Sequence, residues 1–146
     1  MTNGKLNNAS GSNAEKYYQQ CFINLGYNAC EISIKNSIED RLGIDLLNLP
    51  YNIQIKSGVQ KNMNPGKVLQ KMLKKTVNTE YSNKPCILIH KKKTFSLFDE
   101  EDIIYMVNHN IISKNEKYIA VTKYPISDFK VLFHKSKIKN HEAKHI

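Results

Sequence analysis

The sequence predicts a single α/β domain with a mixed central β-sheet flanked by helices. Three observations carry that expectation. The 146 residues are enough for one well-filled core and too few for two. Segments with helical spacing of apolar residues alternate along the chain with segments of strand-like alternation. Pro85-Cys-Ile-Leu-Ile-His90 is a continuous apolar run, as expected of a strand covered on both faces. Apolar residues make up only 40% of the chain, so the surface around that core is very polar.

Residues 1–11 are small, polar and rich in Asn, Gly and Ser, which predicts a flexible leader. A helix is expected from Ser12 or Asn13 as N-cap to Gly26, with Ala14, Tyr18, Cys21, Phe22 and Leu25 on one face. Tyr27 to Lys35 alternates, with Cys30, Ile32 and Ile34 pointing one way, as a strand does. A polar loop over 36–42 precedes two short strands, Gly43–Leu49 and Tyr51–Ser57, joined by a hairpin at Pro50. Asn64 and Pro65 are the cap and first residue of a second helix reaching about Tyr81. Val68, Leu69, Met72, Leu73 and Val77 form its apolar face, opposite Lys67, Lys71, Lys74 and Lys75. After the apolar run, Thr94–Phe98 reads as a strand, and Asp99–Asp102 as the acidic start of a third helix to about Asn108. Tyr118–Thr122 reads as a strand, Ser127–Phe133 as helix or strand, and 135–146 as a basic tail. The folded domain is expected over 12–134.

The net charge is +9 with a pI near 9.4, and Arg41 is the single arginine among 22 cationic residues. Lysine in place of arginine, beside abundant Asn and Ile, is the mark of an AT-rich genome and is partly codon bias. The excess still attracts polyanions through counterion release. Cys21, Cys30 and Cys86 form no CxxC pair and sit among apolar residues, which suits a reduced compartment. No apolar run at the N-terminus resembles a signal peptide, and none elsewhere is long enough for a membrane span. The expectation is a cytoplasmic protein (host cytoplasm if phage-encoded) with no membrane partner.

Four polar residues then demand explanation. Asp45 lies between Ile44 and Leu46 in a hydrophobic strand, where an unpaired carboxylate is costly. Gln54 and Lys56 alternate with Ile53 and Ile55 in the next strand, so both project from one sheet face. A hairpin through Pro50 brings Asp45 beside them. A hard divalent cation such as Mg²⁺ takes oxygen ligands, available from Asp45, the Gln54 amide and the Ile55 carbonyl. Lys56 would orient an attacking water and hold a phosphate. Glu15, on the first helix, can approach the same cation. Alone, Glu15 reads more simply as a solvated first-turn acid, and Gln54 and Lys56 equally as the wet face of an edge strand.

Ser12-Asn-Ala-Glu15, Leu25-Gly26-Tyr27, Gly43-Ile44-Asp45 and Gln54-Ile55-Lys56-Ser57-Gly58 together resemble the PD-(D/E)xK nuclease superfamily. Within it, the chain is most similar to archaeal-type Holliday-junction resolvases and related small phage nucleases. The likeness covers residue 12 to about 90. It implies a restriction-endonuclease-like sheet, dependence on Mg²⁺ or Mn²⁺, DNA as substrate (branched DNA for a resolvase) and a homodimer. Glu15, Asp45, Gln54 and Lys56 take the four active positions. Ser37 stands for the polar residue that resolvases carry in the loop before the aspartate, and Arg41 of that loop joins the DNA-contacting set. In this fold Lys67, Lys71, Lys74 and Lys75 rim the DNA groove, although a solvated helix face explains them equally well. Gln54 departs from the usual acid, removing one negative charge from the cation site. Two alternatives stay open: a repair or restriction nuclease of the same fold acting on linear or single-stranded DNA, and an inactive DNA-binding module.

Other motifs carry less. His141-Glu-Ala-Lys-His145 matches the HExxH zinc pattern but lies in the basic tail, with no third ligand following. Pro65-Gly66-Lys67 has neither the preceding glycine nor the following Ser or Thr of a P-loop, so no nucleotide cofactor is expected. Lys91-Lys-Lys93 reads as a charged turn.

Overall fold

In the computed structural model, residues 2–57, 63–91, 102–107 and 121–135 are described, with side chains from Asn13 onward. The first helix, α1, spans Thr2–Asn24. It therefore runs through Ser12 and Asn13 and takes in the stretch expected as a leader. No proline interrupts residues 2–24, and a nucleated helix gains a hydrogen bond with each added residue, which outweighs the weak propensity of Asn, Ser and Gly. The helix closes as the sequence predicts. Gly26 has φ +106°, and Tyr27 N–H reaches the Phe22 carbonyl (3.1 Å) while Gly26 N–H reaches that of Ile23 (2.9 Å), a Schellman motif.

Six strands follow in one mixed sheet whose spatial order is the chain order. They are β1 (Glu31–Ile32), β2 (Leu46–Leu47), β3 (Asn52–Ser57), β4 (Cys86–Lys91), β5 (Ile103–Val107) and β6 (Val121–Pro125). All neighbours are antiparallel except β3 and β4. That parallel pair is joined by a crossover helix, α3 (Pro65–Thr76), as parallel neighbours require. The hairpin across Pro50 forms, with Leu46 opposite Ile53.

Alternation along β4 sorts the core into two layers. Ile87 and Ile89 pack with Ala14, Tyr18 and Phe22 of α1, while Cys86 and Leu88 pack with Leu69, Met72 and Leu73 of α3. Both faces are covered, so the strand is apolar from Cys86 to Ile89. Asn64 caps α3 by accepting from Lys67 N–H (3.2 Å) and Pro65 opens it. It ends at Thr76, not Tyr81. The Thr76 hydroxyl turns back to the Met72 carbonyl at 2.9 Å, and Val77 is left exposed.

Three further expectations change. The strand expected over 27–35 shrinks to β1, because Asn36 at φ +67° turns the chain and Ile34 points to solvent. The loop over 36–42 contains a short helix, α2 (Ile38–Arg41). The third helix, expected to start in the acidic cluster, is strand β5 over 103–107. There Asp102 is buried and bonded to Lys91 (3.4 Å) and to the Tyr18 hydroxyl (2.7 Å), while pairing with two strands overrides helical propensity. Lys91 is thus a buried member of β4 and not part of a charged turn. Of the strand expected at 118–122, residues 121 and 122 belong to β6 and 118–120 lie outside the described residues, while Ser127–Phe133 resolves into a 3-10 turn (Ile126–Asp128) and α4 (Phe129–Leu132). Residues 92–101, with the strand expected over 94–98, lie outside the described residues, as do 108–120 and 136–146, including the HExxH match. Cys30 and Cys86 are buried, Cys21 is half-buried, and all three are free thiols. No helix among the described residues is long and apolar enough to cross a membrane.

Candidate active site

The site forms where β2 parts from β3. Asp45 N–H still bonds to the Ile53 carbonyl (2.7 Å), and the Asp45 carbonyl accepts from Ser33 N–H (2.9 Å) on the other side. One residue pair further on, the backbone ladder is replaced: the Asp45 carboxylate (Oδ2) accepts from Ile55 N–H at 2.7 Å. A charge-assisted bond thus holds the acid at the fork. The N–H and C=O of an extended residue face the same strand edge, so the Ile55 carbonyl also faces the fork.

Glu15 reaches the fork from α1, one residue past Ala14, which is buried against the sheet. Its carboxyl is pushed up to about 7, first by burial and then by the charges of Asp45 and Asp40. The Asp45 carboxyl rises to about 6 through burial, opposed by the Ile55 hydrogen bond and by Lys56. Asp45 is therefore the common neighbour of Glu15 and Lys56. Gln54 and Lys56 are half-buried and open onto a cleft of ≈ 240 Å³ under α3, whose walls also carry Asp40, Arg41, Lys71 and Lys75. Gly43 has φ +86°, and its position against the Gln54 amide (a Cβ there would lie 3.5 Å from Oε1) sets the side wall. Lys75 extends its ammonium to the Arg41 carbonyl at 3.1 Å, tying α3 to α2.

Comparison with protein-family models, with curated proteins and with solved structures finds no match for this chain. The chemistry of the site itself therefore carries the functional reading.

Its geometry divides the expected residues. Asp45 lies within electrostatic reach of both Glu15 and Lys56, and Gln54, Lys56, Arg41, Lys71 and Lys75 share the cleft. Lys67 and Lys74 are exposed and outside its walls, because positions 67 and 74 lie on the far side of α3 from Val68 and Met72. Ser37 is the N-cap of α2, accepting from Asp40 N–H at 3.2 Å. Asp40 was missed by sequence reasoning; its carboxylate accepts from Asn36 N–H at 2.9 Å. Ser37-Ile-Glu-Asp40 is a capping-box spacing, a signal that would have placed a helix start and its first-turn acid here.

Among the described residues, no three His, Cys, Asp or Glu side chains form a metal-binding group. Mg²⁺ needs less, since it retains waters and takes one or two carboxylates. The oxygens that could serve such an ion are those of Asp45 and Glu15, the Gln54 amide and the Ile55 carbonyl. Acids pushed up by burial and by a neighbouring carboxylate become easier to ionise when a cation lies beside them.

This coupling has a sign. Both folded pKa values lie above the unfolded ones, 4.5 rising to about 7 for Glu15 and 3.8 to about 6 for Asp45. The folded state binds the extra protons, so this pair supports stability most at low pH and loses that contribution as pH rises through about 6 to 7. In EDTA, moving from pH 5 to pH 8 should lower Tm through this pair. Mg²⁺ at about 100 times its Kd, worth roughly 2.7 kcal/mol, should raise Tm by roughly 5–10 °C at pH 8. At pH 5 the effect should nearly vanish. Differential scanning fluorimetry reads both arms; an equal rise at both pH values would separate the cation from these carboxyls.

Proposed function

We propose that the protein is a metal-dependent endonuclease that hydrolyses DNA phosphodiester bonds, with branched DNA as its favoured substrate and PD-(D/E)xK nucleases of the Holliday-junction resolvase type as its relatives. The observation that carries this reading is the fork itself. A half-buried aspartate is held by a strand amide and lies within electrostatic reach of a helix glutamate and a strand lysine. An ordinary sheet would place apolar side chains there. The single mixed sheet, with a leading helix, a hairpin and a parallel crossover, suits a restriction-endonuclease-like fold.

Asp45, Glu15, the Gln54 Oε1 and the Ile55 carbonyl would hold Mg²⁺ or Mn²⁺. When bound, the cation supplies Lewis-acid stabilisation of charge on the phosphate and lowers the pKa of water. Lys56 steadies the scissile phosphate and orients the attacking water. Glu15 holds the same cation or one of its waters. Arg41, Lys71 and Lys75 bind the flanking backbone. A resolvase makes paired cuts, so the active form is a two-fold homodimer.

The test is cleavage of a synthetic four-way junction and its parent duplex with Mg²⁺, Mn²⁺ or EDTA. Metal-dependent cutting of the junction over the duplex is expected. Equal cutting of both removes the junction preference and leaves a nuclease acting on linear DNA. Tight binding with no cutting in any metal leaves the DNA-binding module, a chain that kept the fold after Gln54 replaced an acid.

The two lysine pairs of α3 should separate in the same binding assay. Lys71→Ala with Lys75→Ala removes cleft cations, and each phosphate that is no longer neutralised flattens the slope of log K against log salt by about 0.9. The double variant should therefore lose roughly 2 from that slope. Lys67→Ala with Lys74→Ala should leave it nearly unchanged. Equal losses from both pairs would mean that the charged helix face as a whole meets DNA.

A further inference from the structure

A second cavity, of ≈ 350 Å³, lies beside the candidate active site and has the opposite polarity. Asn52, Gln54 and Lys56 project from the same face of β3, opposite Cys86, Leu88 and His90 of β4. Asn52 marks the second cavity and Gln54 the cleft, so their strand positions are about 7 Å apart. The walls near Asn52 are Ile44, Leu47, Tyr81 and the acids Glu39 and Glu80, with Lys84 as the one cation among the described residues that line it. Glu39 and Glu80 lie near enough to the Tyr81 hydroxyl to help burial push its pKa up, and the Lys84 ammonium lies 5.5 Å from the centre of its ring.

Asn52 itself is 1% exposed. Its Nδ2 faces two carbonyls, Tyr81 at 2.9 Å and Lys84 at 3.3 Å, so the amide cannot be flipped and Oδ1 must be an acceptor. That oxygen is buried and finds no donor among the described residues. A buried acceptor without a donor is rare and asks for one. The cavity thus combines apolar walls, an aromatic ring and an acceptor-rich lining that repels phosphate, next to a cleft lined by Arg41, Lys56, Lys71 and Lys75.

We propose that this cavity receives an unpaired nucleobase through an N–H-donating edge, guanine above the others, while the basic cleft holds the backbone of the same strand. A base has flat apolar faces for Leu47 and Tyr81 and donors for Asn52 Oδ1 and the carboxylates. Guanine presents an imino and an amino donor side by side, the pairing that a carboxylate accepts best. A sugar would bring hydroxyls against the apolar wall. The DNA strand as source of the base rests on the nuclease reading; the chemistry of the cavity does not.

Two measurements test it. In the first, ¹H–¹⁵N spectra follow the Asn52 side-chain NH₂ and the Tyr81 amide as 2′-deoxyguanosine, 2′-deoxycytidine or thymidine is added. Saturable shifts confined to the cavity, largest for deoxyguanosine and weakened about tenfold by Glu80→Gln, are expected for loss of one charge-assisted bond. Glu80 is exposed, so this variant keeps the Asn52 anchor of the Tyr81–Lys84 turn. In the second, a single abasic site is walked along a branched oligonucleotide and binding is read by anisotropy in EDTA. One position should weaken binding about tenfold, and Glu80→Gln should erase that dependence. Cavity shifts with a flat abasic scan would assign the site to free nucleosides. No shift with any nucleoside together with a flat scan overturns the proposal, even if the protein cuts DNA. Cavity shifts without DNA cleavage keep it and remove the nuclease reading.

Discussion

Asp45→Asn is expected to lower DNA cleavage by about 10³-fold, within the range of roughly 10²–10⁴ for loss of a positioned catalytic group, while leaving the fold intact. The substitution separates two roles of one side chain. Asparagine keeps an oxygen that can accept from Ile55 N–H, the 2.7 Å bond that closes the fork between β2 and β3. It removes the negative charge that Lys56 and Glu15 both sense. Structure should therefore survive, with Tm in EDTA close to wild type, while cation affinity and cleavage are lost together. The Glu15 carboxyl, freed from one of the charges that raise it, should also titrate at a lower pH, which ¹³C spectra of the side chain can follow. Cleavage within a few-fold of wild type would show that Asp45 is a structural acid, and the proposed site would fall with it.

Phe22→Ala is expected to destabilise the protein by about 3–5 kcal/mol, the usual loss for deleting a fully buried aromatic. Phe22 is 0% exposed and is the hub of the layer between α1 and the sheet. Its ring lies 5.0 Å from Phe129, 5.1 Å from Phe133, 6.0 Å from Tyr27 and 6.5 Å from Tyr51, centre to centre. These rings come from α1, the turn after it, the approach to β3 and the C-terminal α4 segment, so no single element can collapse to fill the space. A domain of this size has roughly 5–15 kcal/mol in total, and the urea midpoint should shift accordingly. A loss near 1 kcal/mol would mean that the aromatic layer repacks. Because Glu15 rides on the same helix, partial loosening of α1 would also lower cation affinity before the chain unfolds.

Much of this was legible in the residues. The alternation of Ile53 and Ile55 with Gln54 and Lys56 placed those side chains on opposite faces of β3, as found. Asn64-Pro65 announced α3, and Gly26 announced the end of α1, because caps and left-handed turns are decided by one or two residues acting locally. The apolar run from Cys86 announced a doubly covered strand for the same local reason.

What failed was wherever a distant partner had the deciding vote. The acids at 99–102 suit a helix start, yet Asp102 is bound by Tyr18 and Lys91, 84 and 11 positions away. Val77 and Ile34 fit their apolar periodicities and are nonetheless exposed, since none of the described residues packs over them. The lysine face of α3 was even in sequence; only the docking of α3 on the sheet put Lys71 and Lys75 in the cleft and left Lys67 and Lys74 outside. Asp40 entered the site through a capping turn whose spacing was present in the chain but whose proximity to Glu15 and Asp45 was not. Local sequence determined the mixed α/β class, the caps and the two faces of β3, because short-range sterics and hydrogen bonding suffice for those. Tertiary structure alone decided that β2 and β3 part at Asp45 and that its carboxylate meets the Ile55 amide. A charge this close to a sheet interior is held by groups that only the finished packing can bring to it.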